Sequence, residues 1–171
     1  RISPEAPVPI VNIQKEESRL GGASNVANNI VSLGGHSLLC GVIGHDLFGK
    51  EIERISRHKN IDTFLLKTSS PTITKARIIG GKQQIVRVDY EDKSELNADN
   101  KKLFRDTISR ILPEYDILVI SDYGKGLISE DLCRYLIKLA HKYDKKVIID
   151  PKGKNWEKYS GADIVTPNVK E

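Results

Sequence analysis

A chain of 171 residues is long enough for one ordinary domain with a sizeable core. Its 27 Lys and Arg against 23 Asp and Glu leave a net charge of +4 with both signs interspersed, which speaks against the basic block of a nucleic-acid binder and leans toward a small anionic ligand. No apolar run reaches the roughly 18 residues of a membrane helix, and the opening RISPEAPVPI lacks a signal-peptide core, so a soluble, cytoplasmic protein without a membrane partner is expected.

Pro4, Pro7 and Pro9 punctuate an extended opening in which Val8, Ile10, Val11 and Ile13 suggest an edge strand. A helix is expected over about 22–33, with Ala23, Val26, Ala27, Ile30 and Val31 on one face and Gly34-Gly35 as its stop. HSLLCGVIG then reads as a buried strand, and Asp46 caps a second helix whose Phe48, Ile52 and Ile55 point inward. Another strand, IDTFLLK, precedes ITKARII and QQIVRVDY, which form a β-hairpin around Gly80-Gly81. From Asn97 the order is helix, strand DILVIS, loop, helix EDLCRYLIKLAHKY, strand KKVIID, loop and strand DIVTPN. Apolar strands alternating with helices predict an α/β fold, its parallel strands covered on both faces, with the hairpin inserted. Cys40 and Cys133 sit far apart in apolar stretches as reduced thiols, and His36, His45, His58 and His141 share no metal-ligand spacing.

The hairpin's register is chosen by its side chains. A three-residue loop, 80–82, pairs Ile79 with Gln83, Arg77 with Ile85 and Lys75 with Arg87. One face then carries Lys75, Arg77, Arg87 and Asp89, and the other Ala76, Ile78, Val86, Val88 and Tyr90. Three cations on one face repel one another unless an anion sits among them, which points to a substrate phosphate. A solvated face with Asp89, Glu91 and Asp92 as counter-ions is the competing account.

In an open α/β sheet, ligands gather beyond the carboxyl ends of the parallel strands, here SDYGKG, DPKGK and TPNVKE. Singly, Asp122 or Asp150 is explained as a helix cap and each lysine as a solvated surface group. Together, Lys125, Lys152 and Lys170 are set to surround phosphates, with Glu171 a hard oxygen donor for magnesium. Gly21 and Gly22 open the first helix toward an electronegative ligand, and Asn25 in its first turn offers donor and acceptor to a hydroxyl-rich molecule. The stretch is not G-x-G-x-x-G, so a dinucleotide is a poor fit.

G-G-A-S-N-V-A before a helix ending in L-G-G, then G-x-I-G-x-D-x-F-G, resembles the sugar-binding signature of the ribokinase-like (PfkB) carbohydrate kinases. Within them, RISPEAPVPIV, SPTITKARII, QQIVRVDYE, SDYGKG, DPKG and TPNVKE are similar to the kinase domains of D-glycero-β-D-manno-heptose 7-phosphate kinases, monofunctional or fused to an adenylyltransferase. The resemblance implies a ribokinase-like three-layer sandwich with a β-hairpin lid, residues 1–171 forming part of one domain with lid elements at about 7–20 and 72–91. It implies magnesium-dependent transfer of the ATP γ-phosphate to the anomeric hydroxyl of the heptose phosphate, toward ADP-heptose for lipopolysaccharide. By matching motifs, Gly21, Gly22 and Asn25 hold the sugar, Lys75, Arg77 and Arg87 approach the 7-phosphate, and Asp122 with Lys125 borders the substrate. Lys152 and Asn168 lie along the nucleotide, Glu171 acts through the magnesium-water network, and the apolar hairpin face pairs two subunits into a homodimer.

The family's first strand, with its G-D-x-x-x-D acid, is expected before Arg1, and its G-A-G-D segment, with the catalytic aspartate, after Glu171. The chain, which has no methionine, is therefore expected to be incomplete at both ends, to contain no catalytic residue, and to be inactive alone. Two further readings stay open: a non-catalytic sugar-phosphate binding or dimerisation module, and a kinase of this family for another sugar phosphate.

Overall fold

The computed structural model describes residues 3–8, 10–81, 83–92, 94–153 and 155–169. In chain order they form α1 (Ala23–Ser32), β1 (Leu38–Gly44), α2 (Leu47–His58), β2 (Asp62–Thr68), β3 (Thr74–Gly80), β4 (Gln83–Tyr90), α3 (Ala98–Ile111), β5 (Ile117–Ser121), α4 (Glu130–Lys142), β6 (Lys146–Asp150) and β7 (Ile164–Val165). The capping chemistry is local: Asp46 accepts from Gly49 N, Asn97 from Asn100 N and Ser129 from Leu132 N, each closing the open first turn of its helix.

The fold is the expected mixture of helices and parallel strands, with the parallel strands in two groups. β1 pairs with β2 from Leu38 opposite Asp62 to Gly44 opposite Thr68. β5, β6 and β7 form a second parallel sheet in that spatial order, and β3 with β4 forms a separate antiparallel ribbon.

Around β1 and β2 the layers number three. Leu39 and Leu65 face α1 and α2, packing with Ala27, Ile52 and Ile61. Cys40 and Phe64 face the other way into the main core, where the Phe64 and Phe104 rings lie 5.6 Å apart. That core joins Ile120, Val147 and Ile149 to Phe104 and Ile108 of α3 and Leu132, Cys133, Leu136 and Ile137 of α4. Val147 and Ile149 are fully buried, each contributing about 1.5–3 kcal/mol by leaving water.

Several local expectations are corrected. The opening forms no strand among its described residues. Its backbone bonds there are local, Ser3 N to Val8 O and Val8 N to Ala6 O, and proline lacks the N–H a ladder requires. On the face of the β5, β6 and β7 sheet away from α3 and α4, Ile117 and Ile164 are 50% and 51% exposed. DIVTPN narrows to two paired residues, and Phe48, instead of entering the core, is exposed with its ring 5.5 Å from that of Tyr90.

The hairpin register also differs. Gly80 pairs with Gln83 and Ile79 with Gln84, then a bulge shifts the ladder so that Ile78 faces Val86, Arg77 faces Arg87 and Lys75 faces Asp89. The bulge lays Ile85 over Gly80, where a Cβ would sit 2.6 Å from the Ile85 Cδ1. In the paired body the ladder lies two residues from the expected register, and a shift of two preserves the side-chain faces. Lys75, Arg77, Arg87 and Asp89 therefore share one face as expected.

Candidate functional site

The hairpin is fixed at its base. Thr72, 2% exposed, donates its backbone N–H to Asp46 Oδ2 and its hydroxyl to Asp46 Oδ1, both at 2.7 Å, and its Oγ1 accepts from Gly44 N at 2.8 Å. A Cβ on Gly44 would lie 2.6 Å from both Asp46 Oδ2 and Ser70 O, so only glycine admits this approach. The glycines and aspartate of G-x-I-G-x-D-x-F-G thus join the end of β1, the start of α2 and the hairpin. Burial pushes the Asp46 carboxyl up, but hydrogen bonds from Thr72, Gly49 and Phe48 hold it below the usual carboxylate range. Ser70 Oγ closes the base by donating to Asp92 Oδ2 at 2.8 Å.

On the charged face, Asp89 lies between two cations. Lys75 Nζ donates to its Oδ2 at 2.9 Å, while the Arg87 fork reaches both oxygens, Nε to Oδ1 at 2.7 Å and Nη2 to Oδ2 at 3.1 Å. Lys75 and then Arg87 hold the Asp89 carboxyl below its ordinary value. Glu91 continues the series, pairing with Lys125 and lying 4.0 Å from Lys75 Nζ. Among the described residues Arg77 makes no hydrogen bond or ion pair. The repulsion that pointed to a phosphate is therefore answered in part by Asp89, an anion of the chain itself.

Asp122 is 3% exposed and turned beneath its loop. Its Oδ1 accepts from Gly124 N at 2.7 Å, and its Oδ2 accepts from Tyr159 Oη at 2.8 Å and from Lys158. Burial pushes the Lys158 ammonium down, but the ion pair with Asp122 outweighs it and the net shift is upward. Burial also raises the Tyr159 phenol, whose oxygen accepts from Lys152 N at 2.9 Å.

These anchors bring the chain's separate motifs side by side. The Tyr123 ring lies over the start of α1, its Cε2 3.5 Å from where a Gly22 Cβ would be. Gly22 itself stands at φ +55° and ψ −136°, a backbone that L side chains rarely adopt. Gly21 and Asn25 are exposed there, the Asn25 side chain without a hydrogen bond among the described residues. Lys152 packs its Cγ 3.6 Å from the Gly124 Cβ position, so the loops after β5 and β6 adjoin, and Asn168 is exposed after β7. Lys170 and Glu171 lie outside the described residues. Glu91 serves as the counter-ion that the competing account expected, and Thr72, Tyr123, Lys158 and Tyr159 complete the arrangement without having been singled out from the sequence, because their partners lie up to 37 positions away.

A lidded α/β chain with a glycine-fronted helix beside a lysine-bearing strand-end loop defines a class. Residues 2–171 match the pfkB family of carbohydrate kinases, and the chain belongs to that family. Among its relatives, the bifunctional protein HldE of Helicobacter pylori strain P12 is 47% identical over 173 residues, covering 100% of this chain and 38% of that protein. HldE of Sulfurimonas denitrificans is 42% identical, covering 100% of this chain and 36% of that protein. The chain thus spans little more than a third of these relatives. The fold is shared with a possible 1-phosphofructokinase from Thermotoga maritima at a TM-score of 0.77 and 20% identity, over 99% of this chain and 55% of that one. The tetrameric inhibited form of phosphofructokinase-2 from Escherichia coli matches at a TM-score of 0.66 and 20% identity, over 94% and 56%.

Proposed function

We propose that this chain forms the sugar-binding and lid portion of a cytoplasmic kinase that transfers the ATP γ-phosphate to the anomeric hydroxyl of D-glycero-β-D-manno-heptose 7-phosphate, toward ADP-heptose. Its likeness to HldE over the whole chain supports the substrate. The observation that carries the reading is the charged series Arg87, Asp89, Lys75, Glu91 and Lys125, which runs from the lid to the loop whose Tyr123 covers the start of α1.

In this reading the exposed amide of Asn25 and the free N–H groups opening α1 take the sugar hydroxyls, while Arg77, Arg87 and Lys75 take the 7-phosphate from above. Lys125 borders the sugar, and Asp122 acts through the loop it holds. Phosphoryl transfer rests on positioning and charge neutralisation, and this chain supplies both. Asp122, occupied by Gly124, Tyr159 and Lys158, does not receive the attacking hydroxyl's proton. In this reading the chain's own residues bind and orient.

Lys152 and Asn168, exposed beyond the strands, fit the phosphates of a nucleotide. Magnesium, for which the sequence resemblance names Glu171, would neutralise phosphate charge. Among the described residues no group of three or more His, Cys, Asp or Glu forms a metal site, so the assignment rests on the sequence resemblance. The apolar side of the ribbon, where Ile78, Val86, Val88 and Tyr90 lie together, fits a second copy of the chain as a homodimer.

Calorimetric titration with heptose 7-phosphate, fructose 6-phosphate and ribose tests the reading. Heptose 7-phosphate is expected to bind tightest, and Arg77→Glu to weaken it at least tenfold. Equal binding of all three sugars, or no response to Arg77→Glu, would overturn the assignment.

A further inference from the structure

We propose that Asp89 is an internal occupant of the lid's anion site, which an incoming phosphate must displace. This rests on the reading of the hairpin as a phosphate-binding lid and adds how access to it is set.

Asp89 holds the position and valence of a ligand. It stands directly across the ribbon from Lys75 and two residues along the same face from Arg87, and it takes both cations through three hydrogen bonds. Its two oxygens engage the Arg87 fork in the bidentate manner by which guanidinium recognises phosphate. The side chains of Lys75, Asp89 and Arg87 remain 35%, 26% and 48% exposed, so water and ligand can reach the pairs. Exposed pairs of this kind bias their partners by a factor of only about two to five, which an arriving phosphate can overcome.

The charges agree with exchange. Lys75, Arg77, Arg87 and Lys125 against Asp89 and Glu91 leave two positive charges, the complement of a phosphomonoester of about −2. Arg77, facing Arg87 across the ribbon with no partner among the described residues, is placed to meet the phosphate first. Lys75 and Arg87 then exchange the Asp89 carboxylate for phosphate oxygens. Asp89 thus works against tight binding, while in the empty site it keeps two cations from repelling one another and Arg77.

Titration with heptose 7-phosphate and with the same heptose lacking phosphate tests this on the protein and its Asp89→Asn, Asp89→Glu and Arg77→Glu variants, with circular dichroism confirming the fold. Asp89→Asn is expected to bind the phosphorylated sugar about three- to fivefold tighter and the unphosphorylated sugar unchanged, with Asp89→Glu returning to the parent affinity. A merely structural aspartate would give weaker binding of both sugars. Unchanged or weaker phosphosugar binding in Asp89→Asn, while Arg77→Glu still weakens it at least tenfold, overturns the exchange role alone. Loss of the Arg77 effect overturns the lid reading and the exchange role together.

Discussion

Thr72→Val isolates the pin that holds the lid to the domain. The substitution keeps the side-chain shape and removes one oxygen, which accepts from Gly44 N at 2.8 Å and donates to Asp46 Oδ1 at 2.7 Å. Thr72 is 2% exposed, so water does not replace it and Gly44 N is left buried without an acceptor. A buried unsatisfied donor costs about 1–3 kcal/mol, and a hydrogen bond to a carboxylate contributes about 1.5–3 kcal/mol. Because Asp46 keeps its bonds from Gly49 N and Thr72 N, the combined loss falls at about 2–4 kcal/mol. In a domain of this size each kcal/mol moves the melting temperature by about 2–4 °C, so thermal unfolding by circular dichroism should show a fall of about 5–15 °C. Thr72→Ser, which keeps the oxygen, should lose less than half as much. Hydrogen exchange should quicken across β3 and β4 in Thr72→Val. A melting temperature within 1–2 °C of the parent would refute the pin.

Asp46 and Asp163 carry carboxyls held below their ordinary values. For Asp163 the cause is Lys146 first, then Val147 N and His141. A lowered carboxyl adds stability above its unfolded value of about 3.9 and loses it as pH falls through the folded value, because the unfolded chain takes up the proton first. The melting temperature should fall from about pH 5 downward, and Asp163→Asn should flatten that fall; parallel curves for parent and variant would contradict it. Asp122→Asn leaves the Lys158 ammonium without its charged partner and should lower stability by about 3–5 kcal/mol in urea unfolding, with Lys158→Met added to it recovering part of the loss. Val88→Lys places a charge on the apolar side of the ribbon and should convert a dimer to monomer in sedimentation velocity; a persisting dimer would remove that face as the interface.

Much of the frame was legible because it rests on short-range rules. Helix α1 lies within one residue of its expected bounds, and Asp46 caps α2 as its position before the apolar period suggested. The ribbon's two faces were legible through alternation alone, while its bulge was not, since packing of Ile85 over Gly80 leaves no period in the sequence. The opening strand failed for a non-local reason. Val8, Ile10, Val11 and Ile13 have the composition of a strand, but a strand needs a partner, and sequence pattern does not supply one. Asp122 was visible as a polar residue ending an apolar strand, but its burial depends on Lys158 and Tyr159, which arrive from beyond the next helix and strand.

Asp46 and Asp122 differ in kind from Asp89 and Glu91, and the division follows from their partners. Asp46 and Asp122 are bound by backbone N–H groups and by Thr72, Tyr159 or Lys158. Removing one partner from such a site leaves an uncompensated buried group, so these residues set where the lid and the loop stand and do not exchange. Asp89 and Glu91 pair with Lys75, Arg87 and Lys125 on partly exposed side chains, where a pair contributes little and can be remade with another anion. The same carboxylate chemistry therefore fixes the backbone at the base of the ribbon and of the loop after β5, and leaves the cations of the ribbon's charged face available. A lid that must receive a charged ligand requires both properties: rigid attachment, so that the cations arrive in register, and weak internal pairing, so that they can be released.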